Sequence, residues 1–110
     1  MNLTVRPGAV DDLPQVLDIY NRSGLEHDAV LSLNDVKRWF DQTQLYPSYT
    51  LWVASSAEKI VGTFALLIMD NLVHHGSPSG IVEAVGVAPE RQGQGIGRQM
   101  MTVAMTQCRS

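Results

Sequence analysis

The stretch at residues 64–69, Phe-Ala-Leu-Leu-Ile-Met, is the longest apolar run in the chain and carries no polar side chain to turn toward water. A strand with one wet face alternates polar and apolar residues, so this run predicts that residues 60–69 form a strand buried on both faces and central in its sheet. The run is far shorter than the ~20 residues of a membrane-spanning helix. A sheet covered on both faces has a further layer above and below it, and with helices as those layers the fold is of the α/β or α+β class.

The flanking segments supply those helices and the neighbouring strands. Residues 49–55 read as a strand, and Ser-Ala-Glu-Lys at 56–59 as the turn joining it to the central strand in a hairpin. Gly62 suggests a bulge. Residues 2–6 alternate Leu3 and Val5 with polar neighbours and stop at Pro7-Gly8, a short strand. Leu13, Val16, Leu17 and Tyr20 then recur at helical spacing after a capping Asp11 or Asp12, with Pro14 in the first turn, and residues 21–24 end that helix. A second helix opens at Ser32, with Asp35 placed to reach back in a capping box and with Leu33, Val36 and Phe40 on one face beside Trp39. Residues 71–80 are a loop and residues 81–88 a strand, and Ile96, Met100, Val103, Ala104 and Cys108 form the stripe of a last helix. The order is β-α-α-β-β-β-α, with no linker or repeat, so residues 1–110 should form a single domain with one core.

Charge narrows the partners. Eight Lys and Arg against eleven Asp and Glu give a net charge of -3, and the basic residues are scattered, so neither a nucleic acid nor a membrane surface is an expected partner. The N-terminus lacks a basic segment followed by an apolar one, which predicts a cytoplasmic protein. Cys108 stands alone, which excludes an internal disulfide and a cysteine-based metal site, and no metal is expected.

The most informative chemistry lies at residues 91–97, Arg-Gln-Gly-Gln-Gly-Ile-Gly, between the last strand and the last helix. A helix N-terminus offers unsatisfied N–H groups and a partial positive charge, a natural place for phosphate. Gly93, Gly95 and Gly97 permit unusual backbone angles and a close ligand approach. The spacing fits neither a dinucleotide-binding fingerprint, because Arg98 stands where its last glycine belongs, nor a Walker loop, because no Gly-Lys-Ser/Thr follows. A turn that packs the helix against the sheet would explain one or two of these glycines. Three of them, interleaved with Gln92 and Gln94, favour an anion cradle.

The run Val85-Gly86-Val87-Ala88-Pro89-Glu90-Arg91-Gln92-Gly93-Gln94-Gly95-Ile96-Gly97-Arg98 resembles the strand-loop-helix signature of the GNAT superfamily of acyl-CoA-dependent N-acyltransferases, whose pattern is Gln/Arg-x-x-Gly-x-Gly/Ala. The resemblance implies a mixed, mostly antiparallel sheet with flanking helices. It further implies acetyl-CoA as acyl donor and a primary amine, of a small molecule or a protein, as acceptor. Residues Gln92, Gly93, Gln94, Gly95, Ile96, Gly97 and Arg98 would hold the coenzyme A pyrophosphate. Backbone groups of Val85 and Val87 would meet the pantetheine arm and the thioester carbonyl.

Glu83 is the one charged residue in residues 81–88. A carboxylate in such a strand must be paired, exposed at an edge, or kept for chemistry. The resemblance makes it a candidate general base that deprotonates the amine, and an ion pair with an arginine is the competing reading. Residues 80–85 are similar to a Gly-His-Ile-Glu-Asp-Ile segment of glucosamine-6-phosphate N-acetyltransferases, but Ile81 and Ala84 replace its histidine and aspartate. His74 and His75 could act as a base or bind the acceptor, but two histidines in a polar loop are usually just solvated. Trp39, Phe40, Tyr46 and Tyr49 are placed to line an acceptor pocket or simply to pack.

Domains of this superfamily continue with a further strand and a helix carrying the tyrosine that protonates the leaving thiolate, so the C-terminal third is expected to be absent here. The last strand would then have an open apolar edge, which predicts pairing with a second copy, strand exchange or aggregation. A non-catalytic module that binds acyl-CoA or a partner protein, and a purely structural glycine turn, are the alternatives to an enzyme.

Overall fold

The computed structural model describes residues 2–23, 31–70 and 72–109. Strands β1 (Thr4–Pro7), β2 (Tyr49–Ser56), β3 (Lys59–Met69) and β4 (Ser79–Val87) form one sheet in the order β1-β2-β3-β4, antiparallel at every step. Helices α1 (Leu13–Ser23) and α2 (Leu33–Thr43) precede β2, and α3 (Ile96–Arg109) follows β4. This is the expected α+β order. No helix among the described residues is long and apolar enough to cross a membrane.

The central-strand expectation holds for the first part of β3: residues 60–66 are all buried, and exposure returns over residues 67–69. The reason is visible in β2, whose successive side chains enter two different cores. Leu51 and Val53 join Leu13, Val16, Ile19 and Val36 beneath α1 and α2. Trp52 and Ala54 join Phe64, Leu66, Ile96 and Met100 beneath α3. The sheet is thus a septum between two apolar layers. The buried face of α1 is Leu13, Val16, Ile19 and Tyr20, so Ile19, which the expected stripe omitted, replaces the half-buried Leu17.

Gly62 has a more specific duty than a bulge. One register shift does lie beside it, since Ala54 pairs with Gly62 and Ser55 with Ile60, leaving Val61 extra. A Cβ on Gly62, however, would lie 2.9 Å from Met100 Sδ and 3.0 Å from Ile96 Cγ2. Its missing side chain is what lets α3 lie against β3.

Both helix starts differ from the capping expected. Ser32 caps α2, its hydroxyl accepting from the Asp35 N–H at 3.1 Å, but the Asp35 carboxylate meets Arg38 at 3.3 Å instead of reaching back. Before α1, a single 3-10 turn at Val10–Asp12 intervenes. Asp12 there accepts from the Ala9 N–H at 2.8 Å and from both terminal nitrogens of Arg6, at 2.7 and 2.9 Å. These bonds, that from Arg6 foremost, hold the Asp12 carboxyl below its ordinary value.

A depressed carboxyl stabilises the fold above the unfolded-state value, near 3.8, and loses that contribution as pH falls through the folded one. Asp12→Asn is expected to cost about 1–2 kcal/mol at neutral pH, a figure kept low because Arg6 is partly solvated, with the gap to wild type closing below about pH 4. Urea unfolding of both proteins from pH 7 to 3 measures this. A gap that stays constant across the range would refute it.

Candidate active site

The loop between β4 and α3 is built from its entry onward. Ala88 N–H donates to Val61 O at 2.9 Å, and Pro89–Arg91 makes one 3-10 turn. Glu90 in that turn pairs with Arg22 of α1 at 2.6 Å and with Lys59 at 3.8 Å. The Arg22 hydrogen bond is the main reason the Glu90 carboxyl is drawn down to about 2. Arg91 Nε donates to Gln94 Oε1 at 2.9 Å, bracing the next bend.

Gly93 and Gly95 stand at φ of 81° and 82°, the left-handed region that favours glycine. A Cβ at Gly93, Gly95 or Gly97 would meet nothing within 4 Å. None of these glycines is therefore present to seat the helix on the sheet; Gly62 does that, and the glycine loop faces open space. The first bond of the α3 ladder is Gln99 N–H to Gly95 O at 3.1 Å, so the N–H groups of Ile96, Gly97 and Arg98 have no partner within the helix. Ile96 turns its side chain into the core and offers only backbone here, whereas Gln92, Gln94 and Arg98 are exposed around the loop. A bare backbone bend ending in free helix N–H groups is the right shape and polarity for an anion.

β4 is an edge strand, and it is bent in the middle. Thr63 pairs with Gly86 and Ala65 with Glu83, so Ala84 and Val85 together face the single residue Phe64. Ala84 takes a φ of 51°, the strained residue of this bulge. Val85 is 39% exposed. Since Ala88 N–H points inward to Val61, alternation turns the Val87 N–H and carbonyl toward the open edge, where Gln92 Nε2 donates to the carbonyl at 3.3 Å. The Val87 N–H remains at the edge.

On the α1 and α2 face of the sheet, a cleft of about 470 Å³ runs beside the same bulge. Glu83 and Ala84 form one side, Asp35, Val36 and Trp39 of α2 another, and Tyr20, Leu31 and Tyr49 complete it. Asn21 fixes Leu31 there by exchanging two hydrogen bonds with its backbone, at 3.1 and 3.3 Å. Glu83 is exposed and has no ion pair among the described residues, so the competing arginine partner does not form. Burial, with the nearby charge of Glu83 second, raises the Tyr49 hydroxyl above its ordinary value.

Tyr20 was not legible as a site residue, because its spacing marks it only as core. Its ring is 8% exposed and its hydroxyl has no hydrogen-bond partner. The neighbouring Thr63 hydroxyl donates to Trp52 O at 2.8 Å and partly offsets the effect of burial on Tyr20. Burial pushes the Tyr20 hydroxyl up to about 12, so it stays a neutral phenol. Of the other aromatics, Trp39 and Tyr49 reach the cleft, Phe40 packs into the core under α2, and Tyr46 stacks edge-on against Tyr49 at 6.1 Å. His75 is exposed in the β3–β4 loop, away from the cleft, and the side chain of His74 lies outside the described residues.

Edge strand, glycine bend and helix end define a two-part arrangement: an open glycine loop at the end of β4 and an aromatic, carboxylate-bearing cleft at its middle. Comparison with known proteins gives the family of the chain. The family model for the acetyltransferase (GNAT) family matches residues 13–110, and the chain belongs to that family. A solved structure of a protein from Agrobacterium tumefaciens str. C58, assigned as an acetyltransferase, is similar at 28% identity with a TM-score of 0.84, covering 96% of this chain and 72% of that one. A transcriptional regulator from Bacillus halodurans C-125 is similar at 25% identity and TM-score 0.82, covering 96% and 73%. A GNAT family acetyltransferase from Staphylococcus aureus shares the fold at 17% identity and TM-score 0.82, covering 98% and 78%. Comparison with curated protein sequences finds no match.

Proposed function

We propose that the chain is an N-acetyltransferase that moves an acetyl group from acetyl-CoA to a primary amine by direct attack on the thioester. The observation that carries this reading is the loop of Gly93, Gly95 and Gly97, whose Cα atoms face open space in front of the free N–H groups of α3. Gln92, Gly93, Gln94, Gly95, Ile96, Gly97 and Arg98 would hold the pyrophosphate of coenzyme A through those amides, with Arg98 adding charge. Bound there, acetyl-CoA supplies an activated acyl thioester.

The chain's own groups then divide the remaining tasks. Edge N–H groups of β4, at Val85 and Val87, are donors for carbonyl oxygens at the open side of the strand. Glu83 takes the proton that an ammonium must lose before its nitrogen can attack, a step worth typically ~10²–10⁴-fold in rate. The acceptor is an amine of a small molecule or of a protein.

Thiol release from acetyl-CoA, measured with a panel of amines, is expected to fall at least ~100-fold in Glu83→Gln with acetyl-CoA affinity unchanged. Turnover undiminished by that change would remove Glu83 from the mechanism. Acetyl-CoA binding without turnover for any amine would favour a non-catalytic acyl-CoA module instead.

We also propose that the first half of β4, residues 79–83, pairs with a second copy of the chain, leaving the edge at Val85 and Val87 to the acyl donor. That half has no neighbouring strand on its outer side among the described residues, and Ile81 on it is 45% exposed. Light scattering after size exclusion should give a dimer mass that Ile81→Lys shifts toward the monomer. A strict monomer at every concentration would overturn the pairing.

A further inference from the structure

Resting on the acetyltransferase reading, we propose that the cleft beside β4 selects its acceptor as a small-molecule ammonium ion, held on Trp39 and Tyr49 with Glu83 and Asp35 as counter-charges, and rejects phosphorylated amines. Trp39 and Tyr49 meet edge to face, with ring centroids 6.3 Å apart and planes at 76°, so they form an aromatic corner. Both rings line the cleft, and Tyr20 adds a third. Aromatic surfaces at such a corner attract a cation through their ring quadrupoles.

The charges in the cleft point the same way. Glu83 and Asp35 both line it, and no Lys, Arg or His does so among the described residues. Arg38 meets Asp35 at 3.3 Å but is largely exposed, with 69% of its side chain accessible, so it offsets that carboxylate only in part. A phosphate monoester would bring its own negative charge between two carboxylates, with no cation lining the cleft to receive it.

Tyr20 also lines the cavity, but its hydroxyl is buried beside Thr63, so it brings aromatic carbon to the cleft and not a hydrogen-bonding group. The volume of about 470 Å³ suits a small molecule.

The test uses choline without any acyl donor, so binding is read apart from catalysis. Trp39 fluorescence reports on the cleft, because the second tryptophan, Trp52, is buried on the other face of the sheet. Choline should bind at least about tenfold more tightly than its neutral isostere 3,3-dimethyl-1-butanol, and phosphocholine should bind far more weakly than choline. Trp39→Leu and Glu83→Gln should each weaken choline at least about threefold, read by chemical-shift titration where the fluorophore is lost.

Equal binding of choline and the isostere, phosphocholine binding as tightly as choline, or no choline binding at all would overturn the proposal. Tighter binding of the capped peptide Gly-Lys-Gly than of choline would overturn its small-molecule part. Acetyl-CoA titrated in parallel separates the two ideas: binding of acetyl-CoA without choline sinks this inference alone, and choline binding without acetyl-CoA removes the acetyl-transfer reading, and the acceptor role with it, while the cation-binding cleft stands.

Discussion

Gly97→Asp is expected to abolish acetyl-CoA binding while melting no lower than the wild-type chain. Gly97 lies in the first turn of α3, its φ is not left-handed, and a Cβ there would meet nothing within 4 Å. The substitution therefore imposes no strain, and a carboxylate beside a helix N-terminus is itself favourable by about 0.3–1 kcal/mol. The same carboxylate occupies the place of the pyrophosphate and repels it, so affinity should fall by at least ~100-fold. Gly95→Asp should also block binding, but at a φ of 82° it adds backbone strain of about 1–2 kcal/mol. Isothermal titration paired with thermal melting tells the two effects apart. Unchanged affinity in Gly97→Asp would mean that the loop is not a phosphate site.

Phe64→Ala should give the largest loss of stability available from one substitution. Phe64 is 0% exposed, stacks on Trp52 with centroids 6.1 Å apart and planes within 3°, and lies opposite the β4 bulge. Truncating a buried phenylalanine costs about 3–5 kcal/mol, a large share of the roughly 5–15 kcal/mol that holds a domain folded. At this chain length each kcal/mol is worth about 4–8 °C, so the melting temperature should drop by at least ~12 °C. A drop below ~5 °C would show that the site collapses around the gap, contrary to the close packing between β3 and α3. Loss of the bulge should follow, and with it part of the edge geometry at Val85 and Val87.

Much of this architecture was readable from residue order alone. The apolar run at residues 64–69 announced β3, and the glycine loop announced the start of α3, because both signals are local: burial on two faces erases alternation, and free backbone needs glycine. Glu83 stood out as a charge in an apolar strand. What the residue order hides is pairing across distance. The bulge at Ala84 carries no glycine to mark it, and it depends on a register between β3 and β4 that only the folded sheet defines. Tyr20 looked like any core aromatic, since the residues that share the cleft with it, Trp39, Tyr49 and Glu83, lie well along the chain. Gly62 marked the bulge beside it, but its second duty was hidden for a related reason: the atoms that exclude its side chain belong to Ile96 and Met100.

The septum formed by β2 and β3 has a bearing on how such a chain can diversify. Leu51 and Val53 face the helices that wall the cleft, while Trp52 and Ala54 face the helix that carries the glycine loop. Substitutions at Trp39, Tyr49 or Asp35 therefore repack one layer only, and sites that share no partner change nearly additively. A lineage built on this plan can reshape the cleft by small steps on one face of the sheet, with the packing under the glycine loop left unaltered on the other.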